Sequence, residues 1–409
     1  MSSNNRRISM TGPLSEQGLH RLLALLSSEG ERALIVGGAV RNSLMGYPIG
    51  DIDIATTVRP EKVIARVGTA GMRAIPTGFA HGTVTVVVDA QSYEVTTLRE
   101  DIEADGRHAT VIFGDDFKKD AARRDFTMNA LYADNSGFIY DYVGGLEDIL
   151  YRRVKFIGDA KTRIKEDYLR ILRFFRFSAD YSEGKLDPDG IAAIVEKKEG
   201  LKTLSAERVK NELLKLLLAR KTVPVLTTMT HIGIFDVILE LPTSVSSVAG
   251  LLHRDPGADG LLRLAAFCIH KPDDALILKN LLKLSNAETD RLTHIGTALM
   301  RLSAMARPID PSHIRKMAFR LGRRTLTEAL VIDAARRDYS TDPALLAAAG
   351  SAPTTSPFTG NMLLKRGVAE GRKIGEMIQR AEEAWIAADF PSDSAQLNGF
   401  LNEAIKTLS

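Results

Sequence analysis

Hydrophobic and polar positions change rhythm once along this chain. Up to about residue 157, short runs of β-branched residues alternate with turn residues, which predicts strands at 33–36, 52–55, 83–88, 93–97, 138–142 and 154–157. Beyond that point such runs almost vanish. TRIKEDYLRILRFFRFSADY, SAERVKNELLKLLLAR and DALILKNLLKLSNAETDRLTHIGTALMRLSAMA instead carry apolar residues at helical spacing. The predicted fold class is α+β: a head with a mixed β-sheet and helices, then an all-α remainder. Turn-rich stretches at 242–250 and 350–360 interrupt the helical part and are read as subdomain joints. No repeat of fixed period and no low-complexity tract stands out.

Composition narrows the class. The chain has 409 residues, 44% of them hydrophobic, with 54 basic against 51 acidic side chains, so it can bury a sizeable core and is neither disordered nor collagen-like. One cysteine, Cys268, excludes an internal disulfide framework and makes a reducing compartment, the cytoplasm, the expectation. No apolar run approaches the roughly 18 residues a membrane span needs. The opening MSSNNRRISMTG lacks an apolar signal core and reads as a frayed tail. The net charge of +3 is small, but nine basic residues face three acidic ones between Arg152 and Arg176. Such a cluster is either a solvated helix face or an anion-binding one.

The densest chemistry lies in LIVGGAVRNSLMGYPIGDIDIATT. A strand delivers Gly37-Gly38 to a tight turn whose missing side chains let backbone N–H groups approach a phosphate, and a helix opens at Ala39. Arg41, one turn along, can reach the same anion. Asp51 and Asp53 are two apart in the next strand, so both carboxylates project from one face and can share divalent cations, which relieve their repulsion. A lone Gly-Gly is usually a turn and a lone DxD a strand end or cap; the combination within one strand, turn, helix and strand is more specific. No GxxxxGK[ST] run and no GxGxxG is present.

GGAVRN with DIDIATT resembles the first motif of the class II tRNA nucleotidyltransferase and poly(A) polymerase family. RRDFTMNALYAD from Arg123, DYVGGLEDI from Asp141 and EDYLRILRFFRF from Glu166 resemble the next blocks in order and spacing, covering residues 30–230. FTGNMLLKRGVAEGRKIGEMI is similar to the tail of CCA-adding members. One departure is Asn42, where the family usually has Asp; this touches the hydrogen bonding of the turn and not the metal pair.

The resemblance implies that an RNA 3′ hydroxyl attacks the α-phosphate of a nucleoside triphosphate with the help of two divalent cations, Mg2+, held by Asp51 and Asp53. Glu94, in YEVTTLRED, is the candidate third carboxylate, its alternative being an exposed strand position or a salt bridge. Arg123 and Arg124 precede an apolar pattern read as helical and supply guanidinium groups for phosphate oxygens, with the choice between them open. Asp141, Gly144, Gly145 and Asp148 are read as a turn and helix cap. Asp167, Arg170, Arg173 and Arg176 recur every three residues. By periodicity they form a charged helix stripe with an i, i+3 ion pair. By resemblance Asp167 and Arg170 read the incoming base, with Arg173 and Arg176 supporting base or phosphate. Cytosine and adenine both offer an exocyclic amine beside an unprotonated ring nitrogen, whereas uracil and guanine present the reverse, so a carboxylate and a guanidinium together select C and A. The polar stretch REDIEADGRHATVIFGDDFKKDA is an ordinary solvent loop on its own terms and, by resemblance, a moving element.

The reading reached is addition of C and A from CTP and ATP to the 3′ end of tRNA, with no membrane partner. Its domains are a catalytic head (1–157), a base-reading neck (158–240), a body (241–350) and a tRNA-binding tail (351–409). Poly(A) polymerases compete within the family, but AIPTGFAHGTVTVVV looks like the CCA-adding type and the ending LNEAIKTLS lacks a strongly basic tail. Specialists adding only A or only C share these motifs. A non-catalytic RNA-binding protein has no need of Asp51, Asp53 and Glu94 together. A metal-dependent phosphohydrolase is disfavoured because none of the eight histidines is followed by Asp.

Overall fold

The computed structural model describes residues 7–101, 111–184, 186–369 and 371–408. The chain divides into two compact units, Met1–Thr203 and Leu204–Ser409.

The first unit is built on a seven-stranded mixed sheet in the order β3-β4-β5-β2-β1-β8-β9. Its strands are β1 (Ala33–Val36), β2 (Ile52–Thr56), β3 (Arg73–Gly78), β4 (Thr83–Val88), β5 (Gln91–Thr97), β8 (Leu131–Ala133) and β9 (Ile139–Asp141); β6 (Arg99–Asp101) and β7 (Val111–Phe113) form a separate ribbon. Only β2 and β5 run parallel; every other neighbour in the sheet is antiparallel. In TVTVVV of β4, Val84, Val86 and Val88 are buried while Thr83, Thr85 and Val87 are half-buried, the period of two that a one-sided strand requires. Helices α1 (Gln17–Leu26) and α3 (Pro60–Thr69) cover the valine face. Leu19, Leu22, Leu23 and Leu26 of α1 are wholly buried at i, i+3, i+4 and i+7, each contributing roughly 1.5–3 kcal/mol. Opposite, Leu34, Val36 and Ala55 pack with Phe117 and Ala121 of α4 (Phe117–Ala122), Leu98 and Tyr132. Helix α2 (Gly38–Met45) packs against β1, β2 and β8 and against α5 (Gly145–Leu150), and α6 (Ala160–Glu166), α7 (Leu169–Tyr181) and α8 (Pro188–Lys197) follow in the chain.

The α+β expectation holds, with local corrections. The run 154–157 is not a strand: it makes one isolated bridge, Phe126 to Phe156, and serves as an aromatic wedge with Phe156 stacked on Phe174 at 5.4 Å. The apolar pattern after Arg124 is not a helix. Thr127–Asn129 is a single 3-10 turn, and Leu131–Ala133 is strand β8 between β1 and β9, because three buried residues suffice to fill that slot. Edge strand β3 and the β6–β7 ribbon have too little alternation to be read in advance; residues 102–110 of the expected loop lie outside the described residues. The opening tail is tied down from Arg7, which bridges Phe138, and the Ile8 N–H donates to Gly137 O at 2.9 Å.

Among the described residues the second unit contains helices and no strand, among them Ala206–Leu218, Asn286–Ala304, Arg323–Arg337 and the final pair Arg372–Ala387 and Ser394–Leu408. The stretch read as a joint at 242–250 is mostly the helix Val245–Arg254, capped by Ser244. Gly250 there is a packing residue, since a Cβ would lie 2.8 Å from Ala335 O on the neighbouring helix. Residues 352–359 do interrupt the helices, and Phe358, Trp385 and Leu401 anchor the core of the last segment.

Candidate active site

β1 ends at Val36, Gly37 follows with a φ of 70° and ψ of −117° that suit glycine alone, and α2 begins at Gly38. The Gly37 N–H already donates to Leu131 O at 3.0 Å, so anion binding falls to the first-turn N–H groups of α2. A Cβ on Gly37 would lie 3.7 Å from Arg124 Nη1, which places that guanidinium over the turn.

Sheet register assembles the acids. Val36 of β1 pairs with Asp53, and Asp53 pairs with Glu94 of β5, so the two carboxylates leave the sheet side by side. Asp51 precedes β2 by one residue and shares the Asp53 side. Asp51 and Glu94 are exposed, and Asp53 is half-buried. Burial, then Glu94 and Asp51, push the Asp53 carboxyl above its ordinary value against the pull of Arg124. Among the described residues none of the three carboxylates accepts a hydrogen bond or forms an ion pair, and no three His, Cys, Asp or Glu side chains are grouped so as to hold a metal ion between them. Uncompensated hard oxygen donors on an open shelf fit a magnesium-like cation, which takes one or two carboxylates and completes its shell with water and substrate phosphate.

Asp120 of α4 organises the arginine pair. It is 1% exposed and accepts from Arg123 Nε at 2.8 Å, Arg124 Nε at 3.1 Å and the Tyr132 hydroxyl at 2.6 Å. Burial would raise this carboxyl, but Arg124 and Arg123 outweigh burial and hold it below its usual value. Of the pair, Arg124 is the one that faces Gly37 and Asp53.

The base-reading expectation needs one geometric correction. α7 starts at Leu169, and Asp167 sits before it in extended backbone (φ −155°, ψ 104°), so Asp167 and Arg170 do not share a helix face. Asp167 Oδ1 caps the Leu169 N–H at 3.1 Å. Arg170 pairs with Glu166 and donates to the carbonyls of Arg163 at 2.8 Å and Arg123 at 3.1 Å, which ties the neck helix to the arginine pair. Arg173 grips buried Asp125, with Nε to Oδ2 at 2.8 Å, while Arg176 lies 4.3 Å from the Phe177 ring centroid. Arg41 is turned inward and 6% exposed, donating to Tyr181 at 2.7 Å, to Asn129 and to Asn42 at 2.9 Å. Its Nη2 lies 3.7 Å from where a Gly38 Cβ would stand, so its charge underlies the glycine turn from within. Asn42 Oδ1 supplies the acceptor that Asp would have offered. Asp141 accepts from the N–H groups of Val143, Gly144, Gly145 and Leu146, the turn and cap read from its sequence.

Residues missed by sequence reasoning are Asp120, Asp125, Asn129, Tyr132 and Tyr181. Asp120 had a signal, the i, i+4 spacing to Arg124; the aromatic and amide partners had none.

Residues 33–155 match the family described as Poly A polymerase head domain, and residues 185–244 match the one described as probable RNA and SrmB-binding site of polymerase A. A human protein named CCA tRNA nucleotidyltransferase 1, mitochondrial, is 32% identical over 415 residues, covering 95% of this chain and 91% of that one. The chain belongs to the CCA tRNA nucleotidyltransferase family. A CCA-adding enzyme of Geobacillus stearothermophilus is 41% identical over 198 residues, 48% of each chain. The crystal structure of the Bacillus stearothermophilus CCA-adding enzyme in complex with CTP has a TM-score of 0.76 at 28% identity, covering 97% of this chain and 99% of that one. Likeness to CCA tRNA nucleotidyltransferases thus runs well beyond residues 30–230. The chain is a nucleotidyltransferase of a family that depends generally on divalent metal. No helix among the described residues is long and apolar enough to cross a membrane.

Proposed function

We propose that the chain builds the CCA end of tRNA, adding C and A from CTP and ATP without a nucleic-acid template. The observation that carries this reading is the pairing of Asp53 with Glu94 beside a glycine turn overlaid by Arg124. Asp51 and Asp53, with Glu94 beside them, would hold two magnesium ions, which when bound neutralise phosphate charge and favour the alkoxide form of the RNA 3′ hydroxyl. The chain's own groups do the remaining work. First-turn N–H groups of α2 and the Arg124 guanidinium hold the triphosphate, and Arg41 adds positive potential beneath them. Asp167 accepts from the exocyclic amine of cytosine or adenine, and Arg170 donates to the adjacent ring nitrogen. Arg173 and Arg176 brace that surface, Arg173 through Asp125.

In this proposal residues 1–157 carry the chemistry, 158–240 the base choice, and the body (241–350) and tail (351–409) grip tRNA. A cytoplasmic location belongs to the same proposal, supported by the free thiol of Cys268. The test is incubation of the purified protein with tRNA lacking its 3′ end and each labelled triphosphate, singly and combined. Two C and one A added in order, then a stop, support the proposal. A long A tract would favour poly(A) synthesis, and incorporation of A alone or C alone would identify a specialist.

A further inference from the structure

The sheet that carries Asp53 continues past it. Val36, Asp53, Glu94, Thr85 and Ile75 lie in register across β1, β2, β5, β4 and β3, and directly opposed residues point to one face. Alternation puts Thr83, Ser92 and Thr96 on that face too, while Val84, Val86, Tyr93 and Val95 are buried behind it. Hydroxyls pair across the strands, Thr77 with Thr85 at 2.8 Å and Thr83 with Thr96 at 3.0 Å. Each pair uses one of its two protons, leaving a donor and several lone pairs for a ligand. Neither β4 nor β5 contains Lys or Arg, and the one cation of β3, Arg73, opposes Val87, four residues from Thr77. Hydroxyls without a cation suit sugar hydroxyls; phosphates are held by guanidinium, ammonium and N–H groups.

Sheet order adds a direction. Gly37 and Arg124 lie on the β1 side of Asp53, and Glu94 and Thr85 lie on the other. In-line displacement sets the attacking and leaving oxygens on opposite sides of the phosphorus. With the triphosphate on the β1 side, the attacking RNA end comes over β5 and β4. We propose that this hydroxyl ledge seats the terminal ribose of the acceptor RNA, with Thr85 hydrogen-bonding its 2′-hydroxyl and Thr77 orienting Thr85. The inference rests on the nucleotidyl-transfer reading above. It gives the enzyme a means of telling an RNA end from a DNA end.

The test compares tRNA lacking CCA with the same RNA carrying a 2′-deoxy last nucleotide, at saturating CTP, for the wild type, Thr85→Val, Thr85→Ser and Thr77→Val. Valine matches threonine in shape and suits a strand, and Thr77 is exposed, so these variants keep the fold. The 2′-deoxy end should lower wild-type kcat/KM for RNA roughly three- to tenfold, the worth of one neutral hydrogen bond. Thr85→Val should lose a similar factor on the ribose end and nothing more on the deoxy end. Thr85→Ser should restore the wild-type pattern, Thr77→Val should lose less than Thr85→Val, and KM for CTP should stay constant. Losses that multiply between Thr85→Val and the deoxy end, or an unchanged kcat/KM in Thr85→Val, would overturn the inference. A wild type that adds no nucleotide to either RNA would instead refute the transferase reading.

Discussion

Replacing Asp120 by asparagine keeps the shape of the side chain and removes its charge. In the wild type this carboxylate is buried beneath Arg123, Arg124 and the Tyr132 hydroxyl, and it alone neutralises the two guanidiniums that follow α4 among the ion pairs described. Removing one partner of a buried ion pair costs about 3–5 kcal/mol. Both arginine side chains are 25% exposed, so a smaller loss, about 2–3 kcal/mol, is expected. The pH dependence follows from the depressed carboxyl, in which burial is outweighed by Arg124 and Arg123. A carboxylate with a lowered folded pKa contributes stability that is complete above its unfolded value, about 3.9, and is lost as pH falls through the folded value. Urea midpoints of wild type and Asp120→Asn should therefore differ fully at pH 7 and converge below about pH 4. Kinetics supply the second readout. An Arg124 released from Asp120 no longer points at Gly37 and Asp53, and misplacement by about 1 Å costs on the order of 10²-fold in rate. kcat/KM should fall together for CTP and ATP. Equal urea midpoints at pH 7, or an unchanged kcat/KM, would refute the reasoning.

Three further outcomes are expected. Arg41→Met leaves the acceptor of buried Asn129 unpaired, at roughly 1–3 kcal/mol, and removes the partner of half-buried Asn42 and Tyr181; urea unfolding should show a clear loss of stability, while the ratio of CTP to UTP use stays constant. Gly37→Ala forces a side chain into a glycine-only conformation at a cost of about 1–3 kcal/mol and should slow all four triphosphates by a similar factor, measured as kcat/KM. Arg170→Ala should raise the relative use of UTP and GTP, because a wrong base no longer leaves the guanidinium unpaired; an equal slowing of CTP and ATP with no such gain would remove Arg170 from base reading.

Local features were legible from the chain and non-local ones were not. TVTVVV became β4 over its predicted span because one face is covered by leucines of α1 and valines of α3 and the other is only half-buried. Gly37 was legible because a strand followed by two glycines and a helical pattern leaves few backbone solutions. Placing Glu94 beside Asp53 requires the one parallel pairing in the sheet, which joins strands separated by α3, β3 and β4; no local pattern encodes it. Asp167 was misplaced because a three-residue period continues across the helix break at Asp167–Tyr168 and hides it. Arg41 was expected to reach the anion at the glycine turn, and only the fold brings Tyr181 and Asn129 to meet it and turn it inward. The segment 154–157 shows the converse error, since an apolar run packs equally well as an aromatic wedge, with Phe156 against Phe126 and Phe174.

The central claim is that Asp53, held next to Glu94 and opposite Arg124, is where nucleotidyl transfer takes place. Single-turnover incorporation of labelled CMP and AMP into tRNA lacking CCA, with magnesium present, tests it most directly when wild type and Asp53→Asn are compared at matched tRNA occupancy. Asparagine removes a charge disfavoured by burial and by the repulsion from Glu94 and Asp51, so the variant should be folded and at least as stable as the wild type. The account predicts wild-type addition of both nucleotides and a loss of at least about 10³-fold in Asp53→Asn for C and A alike, the scale of removing a group that stabilises transition-state charge. Incorporation by Asp53→Asn at a rate near that of the wild type would contradict it.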